Sequence, residues 1–356
     1  MTQIALVTDT HFGARGDSEI LHKFFERFYS EIFFPYLKKN NIKEIIHLGD
    51  AFDRRKYINF VSLKRCKEYF YDPILRDEIT LHEIVGNHDT SFKNTNEVNS
   101  PDLILGEYAS NIKVYSEPTE IVIDDRKIAI MPWICSDNHD KAMSLIENSS
   151  ASVLMGHLEL DGFEMYRGAV HSGGMQVDLF SKFDMVMSGH FHHKSSRGNV
   201  HYLGCPYEMT WSDYGDQKGF HVFDTDTSEL KFIPNPFVLF RKVFYNDAKW
   251  QDAAAFNDLD FSALSDIFVK VIVKTKNNPY WFDLFMNKIE KVNPASIQIV
   301  DDNLHLDSLD DKDILENIDD TLTILHNSIN SIQSEVDKTK LDNLFKILYY
   351  EASNLQ

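Results

Sequence analysis

Cysteine is scarce and scattered. Cys66, Cys135 and Cys205 are the only three, and no two form a CxxC pair, which excludes a disulfide framework or a thiolate zinc site and points to a reducing compartment. Long apolar runs are also missing, since nothing approaches the roughly 18 residues that a membrane-spanning helix needs. The opening MTQIALVTDTHFG has neither the basic start nor the small-residue cleavage site of a signal peptide, so a cytoplasmic protein with no membrane attachment is expected. Positive charge is short: 36 Lys+Arg stand against 55 Asp+Glu, a net of −19. A broadly basic face for nucleic acid or anionic lipid is thereby disfavoured. Internal repeats and low-complexity tracts are absent as well.

What is present is enough apolar material for a sizeable core, 43% of 356 residues with 13% aromatic, on a length that suggests two or three domains. Up to about residue 240, short β-branched runs alternate with helical patterns. Ile4 to Val7, Glu44 to Leu48, Thr80 to Val85, Ile121 to Met131, Ser152 to Met155, Met185 to Met187 and His201 to Leu203 read as strands, and Glu19 to Asn40 as a helix with Phe24, Phe25, Phe28, Ile32 and Tyr36 at helical spacing. The pattern predicts an α/β layered core with its sheet covered on both faces. Beyond Pro234 and Pro236, a strand, helix, strand pattern at Phe268 to Val273, Trp281 to Lys291 and Ser296 to Val300 predicts a small α/β domain over 241–300. Residues 301–320 carry nine acidic residues and one Lys, net −8, and read as an acidic linker; in 321–356, Leu341, Leu344, Phe345, Leu348 and Ala352 form an apolar stripe on a terminal helix, suited to a partner's groove or to packing back on the chain's own core.

Five polar motifs punctuate the first 240 residues: Asp9-x-His11, Gly49-Asp50-x-x-Asp53-Arg54, Gly86-Asn87-His88-Asp89, Gly156-His157 and Gly189-His190-x-His192. Four directly follow an apolar strand, at the edge where α/β folds place their sites. Carboxylate and amide oxygens mixed with imidazole nitrogens suit Mn²⁺, Fe²⁺ or Zn²⁺ better than Ca²⁺. Each motif alone is most often a capped turn, but five in order are hard to explain that way. Seven candidate ligands exceed the needs of one ion and suit two ions that share a carboxylate, so two-metal hydrolysis of a phosphate ester is the leading chemistry.

These motifs resemble the five signatures of calcineurin-like metallophosphoesterases across residues 1–240. The later run Gly204-Cys205-Pro206, Lys218-Gly219-Phe220, Phe223-Asp224 and Ile233-Pro234-Asn235 is similar to the SbcD-like DNA-repair nucleases, among which the phage recombination endonuclease subunits share this size and layout. The resemblance implies a four-layer β-sandwich flanked by helices, with 241–300 as a DNA-capping domain and 321–356 gripping the coiled coil of an SMC-like ATPase. It also implies that Asp9, His11 and His192 hold one metal and Asn87, His157 and His190 a second, with Asp50 bridging. The ions would be Mn²⁺, or else Mg²⁺. His88 is implied as the group that positions the phosphate and protonates the leaving oxygen, and Asp53 as the carboxylate that orients His88, although double-strand-break nucleases commonly carry a histidine at the position of Asp53. A homodimer is implied too, built partly by the segment after the second motif, and for a phage-encoded chain the location is the host cytoplasm.

Arg54, Arg55, Lys56, Lys64, Arg65 and Lys67, with only Glu68 close by in sequence, form the best candidate for a DNA-backbone contact; a solvated helix face is the even alternative. His47 reads as a buried, hydrogen-bonded residue and Cys205 as a small apolar one. His193 is expected to point away from His192, and His139, His171, His201 and His221 receive no role. The expected activity is a Mn²⁺-dependent DNA nuclease acting on duplex ends and single strands. The competing readings are a stand-alone phosphatase or cyclic-nucleotide phosphodiesterase, and a non-catalytic scaffold.

Overall fold

A computed structural model describes residues 2–250 and 259–301; the segment beyond Asp301, with its acidic run and terminal stripe, lies outside the described residues. The strands are β1 (Gln3–Val7), β2 (Glu44–His47), β3 (Thr80–Ile84), β4 (Ile112–Tyr115), β5 (Thr119–Ile123), β6 (Arg126–Met131), β7 (Val153–His157), β8 (Glu164–Tyr166), β9 (Ala169–Val170), β10 (Met185–Gly189), β11 (Ser195–Arg197), β12 (Val200–Tyr202), β13 (Gly219–Asp224), β14 (Leu230–Pro234), β15 (Phe240–Asn246), β16 (Phe268–Thr275) and β17 (Ser296–Asp301). Two six-stranded sheets result, in the orders β14-β13-β1-β2-β3-β4 and β11-β12-β10-β7-β6-β5. Pairing is parallel through β1-β2-β3-β4 and through β6-β7-β10-β12.

Side-chain alternation along the strands produces the layers. Ile4 and Leu6 of β1, Ile46 of β2 and Ile84 of β3 meet Ile128, Ile130, Val153, Met155 and Met187 of the second sheet in one buried cluster. The opposite faces, through Ala5, Val7, Ile45 and Leu81, take helical aromatics such as Phe24, Phe25, Phe28 and Phe70. On the second sheet, Leu154 and Val186 pack with Ala142 and Ile146 of a helix. These two sheets and their helices form an α/β sandwich of four layers, helices outside and sheets within.

Local chemistry explains where the elements depart from the simple pattern. The expected helix from Glu19 begins as α1 (Glu19–Phe28), widens to a π turn at Tyr29–Phe33 and resumes as α2 (Phe34–Lys39). Pro35 supplies no N–H to the preceding turn, and the wider turn absorbs that loss. The same device recurs where α3 (Phe60–Cys66) passes through a π turn at Lys67–Tyr71 into α4 (Asp72–Arg76), which contains Pro73. The single strand expected over Ile121 to Met131 is instead the hairpin β5-β6. Asp124 and Asp125 turn it, both with positive φ (45° and 62°), as a two-residue turn of matching twist requires.

A third sheet, β15-β16-β17, is fully parallel; its last connection is the helix α5 (Pro279–Glu290). Phe282, Phe285, Met286 and Ile289 pack beside Val269, Val271 and Val273, continuous with the aromatic layer of the first sheet. Glu208 ties the entry of β15 to the loop after β12, because its buried carboxylate accepts the N–H groups of Leu239 (2.6 Å) and Phe240 (2.9 Å). Burial pushes the Glu208 carboxyl up to about 7 from an ordinary 4.5, although the two N–H donors favour the charged form. A proton bound more tightly in the folded chain contributes stability that is complete below about pH 4.5 and is lost as pH rises through about 7. Glu208→Gln should therefore melt higher than the parent chain at pH 8 and gain little at pH 5, which calorimetry at the two pH values will measure.

Candidate metal centre

The motifs meet because parallel strands end together. Asp9 and His11 follow β1, Asp50 follows β2, and Asn87 and His88 follow β3, while His157 ends β7 and His190 follows β10. Face-to-face packing of the sheets brings these carboxyl edges into contact: His157 Nδ1 donates to the carbonyl of Leu48 at 2.8 Å, and the His190 N–H donates to Asp9 Oδ1 at 3.0 Å. The approach is close enough that a Cβ on Gly189 would lie 1.9 Å from Thr8 Oγ1 and 2.8 Å from the Leu48 carbonyl, so only glycine fits. Asp9, His11, Asp50 and His190 all have positive φ (52°, 42°, 58° and 86°). Such conformations are costly for residues with side chains and persist where the surroundings enforce them.

Two clusters form, Asp9 with His11 and His192, and Asp50 with His157 and His190. In the first, His11 Nε2 and His192 Nε2 are 3.0 Å apart and His192 Nε2 is 4.0 Å from Asp9 Oδ1. In the second, Asn87 Oδ1 is 2.9 Å from both His157 Nε2 and His190 Nδ1. Asp50 Oδ2 joins them, 3.3 Å from His157 Nε2 and 3.9 Å from His11 Nε2. His192, with 21% of its side chain exposed, marks an open side, whereas Asp9 and His157 are fully enclosed.

The electrical state of these groups suits cations. Burial, then the neighbouring His88 and His192, holds His11 well below the usual histidine range; burial and His157 do the same to His190. Their imidazoles are neutral and keep a lone pair. Burial opposes ionisation of Asp50, yet His157 and His88 outweigh it and keep the carboxylate charged. Burial likewise opposes the charge on His157, but Asp50 raises it to about 9, so a cation there would take the place of a proton. Convergent lone pairs, two of them on nitrogens 3.0 Å apart with room for one proton between, fit a divalent ion with mixed N and O ligands.

His88 stands beside both clusters, its ring 4.9 Å from that of His11 and perpendicular to it. Its N–H donates to Asp50 Oδ1 at 2.7 Å. The orientation of His88 differs from expectation: the group 2.6 Å from its Nδ1 is the main-chain carbonyl of Asp53, while Asp53 Oδ1 lies 3.6 Å from His11 Nδ1. A carbonyl only accepts, so Nδ1 carries the proton and the backbone of Asp53, rather than its carboxylate, sets the tautomer.

Several supporting residues escaped sequence reasoning. Asp89 is fully buried; its Oδ2 accepts from the N–H groups of Asp50 and Gly86, both at 2.9 Å, and its Oδ1 from Phe52 at 3.1 Å. Burial and the nearby Asp50 raise it to about 7. Glu83 sits 3.0 Å from His47 Nδ1, and His47 Nε2 is 3.0 Å from Thr10 Oγ1, which steadies the turn between Asp9 and His11. His192, Cys205 and Asp213 also converge, but Lys218 Nζ is 2.7 Å from Asp213 and 2.9 Å from Asp216 and donates to the His192 carbonyl at 2.8 Å. That ammonium already supplies the positive charge, and burial pushes the Cys205 thiol well up into its neutral form. Trp133 packs its ring 5.2 Å from His190 and 6.1 Å from His157. Its position two residues past the end of β6, beside β7, was the available signal.

The basic cluster looks different once folded. Arg54 pairs with Asp17 at 2.9 Å, Arg65 with Glu19 and Glu26, Lys64 with Glu68 at 3.6 Å, and Lys67 with Glu107. Carboxylates distant in sequence thus reach three of the six cations, and Glu68 a fourth. Lys56 is exposed, and Arg55 bears electrostatically on His88. His193 lies between Glu164 (3.5 Å) and Asp216 (3.1 Å).

Carboxyl-edge loops of a two-sheet sandwich that gather histidine, aspartate and asparagine define a metal-dependent phosphoesterase. Residues 2–194 match the calcineurin-like phosphoesterase family, and the chain belongs to it. It is 33% identical over 348 residues to Exonuclease subunit 1 of Enterobacteria phage T4, covering 97% of this chain and 98% of that one. An SbcCD nuclease subunit of Staphylococcus saprophyticus is 23% identical over 90% of this chain and 92% of its own length; its counterpart in Staphylococcus epidermidis is 25% identical over 59% of each.

The Asp89 hydrogen bonds generate a direct test. Asp89→Ala leaves three enclosed N–H groups without their acceptor, each worth about 1–3 kcal/mol. The variant should lose on the order of 3 kcal/mol of stability in denaturant titration and show reduced metal stoichiometry by elemental analysis.

Proposed function

We propose that the protein is a two-metal DNA nuclease. Asp9, His11 and His192 would hold one divalent ion, Asn87, His157 and His190 the second, and Asp50 would bridge them, with Mn²⁺ as the favoured ion and Mg²⁺ as the alternative. The observation that carries the reading is the position of Asp50, a single charged carboxylate within 4 Å of a histidine from each cluster. Two ions held there would neutralise phosphoryl charge and acidify water into the neutral range. The likeness to an exonuclease subunit over nearly the full length supports a nuclease; the substrate in this reading is DNA, cut at duplex ends and in single strands.

The chain's own residues supply the rest. Burial opposes the charge on His88, but Asp50 and then Asp53 outweigh it and raise its proton affinity. With Nδ1 committed to the Asp53 carbonyl, Nε2 is the nitrogen that pairs with a phosphate oxygen and hands a proton to the leaving oxygen. Asp9 is held by Thr8 Oγ1 (2.7 Å) and the His190 N–H, so its carboxylate presents one fixed orientation. Relatives named as subunits support work within a larger nuclease; the partner would be an SMC-like ATPase held by residues 321–356, with 241–300 capping the site over DNA. Phe60, 86% exposed at the start of α3 beside Tyr57 and Val61, supports a homodimer through that segment. Three free, buried cysteines support a reducing, cytoplasmic setting.

With Mn²⁺, the protein should cleave single-stranded and duplex DNA, and turnover restricted to phosphomonoesters or cyclic nucleotides would defeat the nuclease reading. His88→Ala should lower turnover about 10²- to 10⁴-fold while elemental analysis still finds the parent metal content; loss of the metals would assign His88 a different role. A chain ending at Leu304 should keep Mn²⁺-dependent hydrolysis but no longer co-purify with the ATPase.

A further inference from the structure

We propose that Trp133 and Tyr166 are base-stacking platforms on opposite halves of the centre, each receiving the unpaired nucleobase on one side of the scissile phosphate. The inference rests on the nuclease reading and adds to it a recognition element for single-stranded, unstacked DNA.

The two rings stand on different halves of the site. Trp133 leans against His190 at 5.2 Å between ring centroids and 44° between planes, and Tyr166 approaches His192 edge-on at 6.5 Å and 87°. Neither belongs to the core: Trp133 is half-buried and Tyr166 is 43% exposed. Both are held from behind by their backbones. The Trp133 N–H donates to the Val85 carbonyl (2.8 Å), and its carbonyl accepts from Asn96 Nδ2 (2.8 Å) and Asn138 Nδ2 (3.0 Å). Tyr166 closes β8, whose Met165 carbonyl accepts the N–H of His193 at 3.3 Å, and the His193 ring is gripped by Glu164 and Asp216. The hairpin β8-β9 is thereby anchored to the residue next to His192. Each ring thus sits beside a histidine of the centre on backbone that is hydrogen-bonded to another element.

The ligand follows from chemistry. A phosphodiester has a nucleoside on each side of its phosphorus, and aromatic faces hold bases of any sequence. The alternative grip, a basic surface, is weak in a chain of net charge −19 whose main cationic cluster is largely paired with carboxylates. Stacking gives sequence-independent hold without positive charge, and it requires bases whose faces are free.

The test uses the full chain and two single-stranded oligonucleotides with the same number of phosphates, one bearing thymines throughout and one abasic at the residues that flank the cleaved linkage. Binding is read by fluorescence anisotropy in EDTA, and kcat/KM with Mn²⁺. The wild type should prefer the thymine strand in both. Trp133→Ala and Tyr166→Ala should each weaken that strand by about five- to a hundred-fold and erase the preference over the abasic strand, while Trp133→Phe and Tyr166→Phe retain most of it. Equal losses on both strands, or none, overturn the platforms. A wild type that neither binds nor cleaves either strand, yet hydrolyses phosphomonoesters, overturns the nuclease reading and this one with it.

Discussion

Three main-chain N–H groups, those of Asp50, Phe52 and Gly86, end on the carboxylate of Asp89. Through them the loop after β3 and the loop after β2 are tied together, and Asp50 and Asn87 are held in register. The same interaction sets where His88 can be, because its N–H returns to Asp50 Oδ1. Remove the acceptor and the enclosed donors have no water to turn to, so the geometry of the whole edge depends on one buried acid.

A gathering of charged and lone-pair groups at 3–4 Å is costly without a compensating cation, and the fold shows the cost in its backbone. Four of the seven proposed ligands have positive φ, and glycines stand where the two sheets' loops nearly touch. Buried pairs behind the centre, His47 with Glu83 and Lys218 with Asp213, take up main-chain and hydroxyl groups of the ligand-bearing loops. They hold those loops from the protein side, leaving the side near His192 open.

Much of this was legible in the chain. Runs such as Ile4 to Val7 are apolar at every position because both sheet faces are covered, and the polar residues after them can only sit at a strand end. The α/β class followed from those two facts, and the family from the resemblance of the five motifs to its signatures. Less legible were features whose cause is local but cryptic: the hairpin hidden in Ile121 to Met131, which turns on two aspartates with positive φ, and the π turns ahead of Pro35 and Pro73. Asp89 sat within a recognised motif, but a carboxylate that collects N–H groups cannot be told from a turn residue without seeing which loops come close.

By itself the sequence determined most of the central parallel strands, the motif order and the kinds of donor atom, because strand and turn preferences act over a few residues. Tertiary structure alone decided how closely the candidate donors approach one another, that the carbonyl rather than the carboxylate of Asp53 holds His88, and that Arg54, Arg65 and Lys67 meet Asp17, Glu19, Glu26 and Glu107. The physical reason is range. Coulombic and hydrogen-bond partners are chosen by separation in space, and here Asp9 and His190 are bonded across 181 positions of chain.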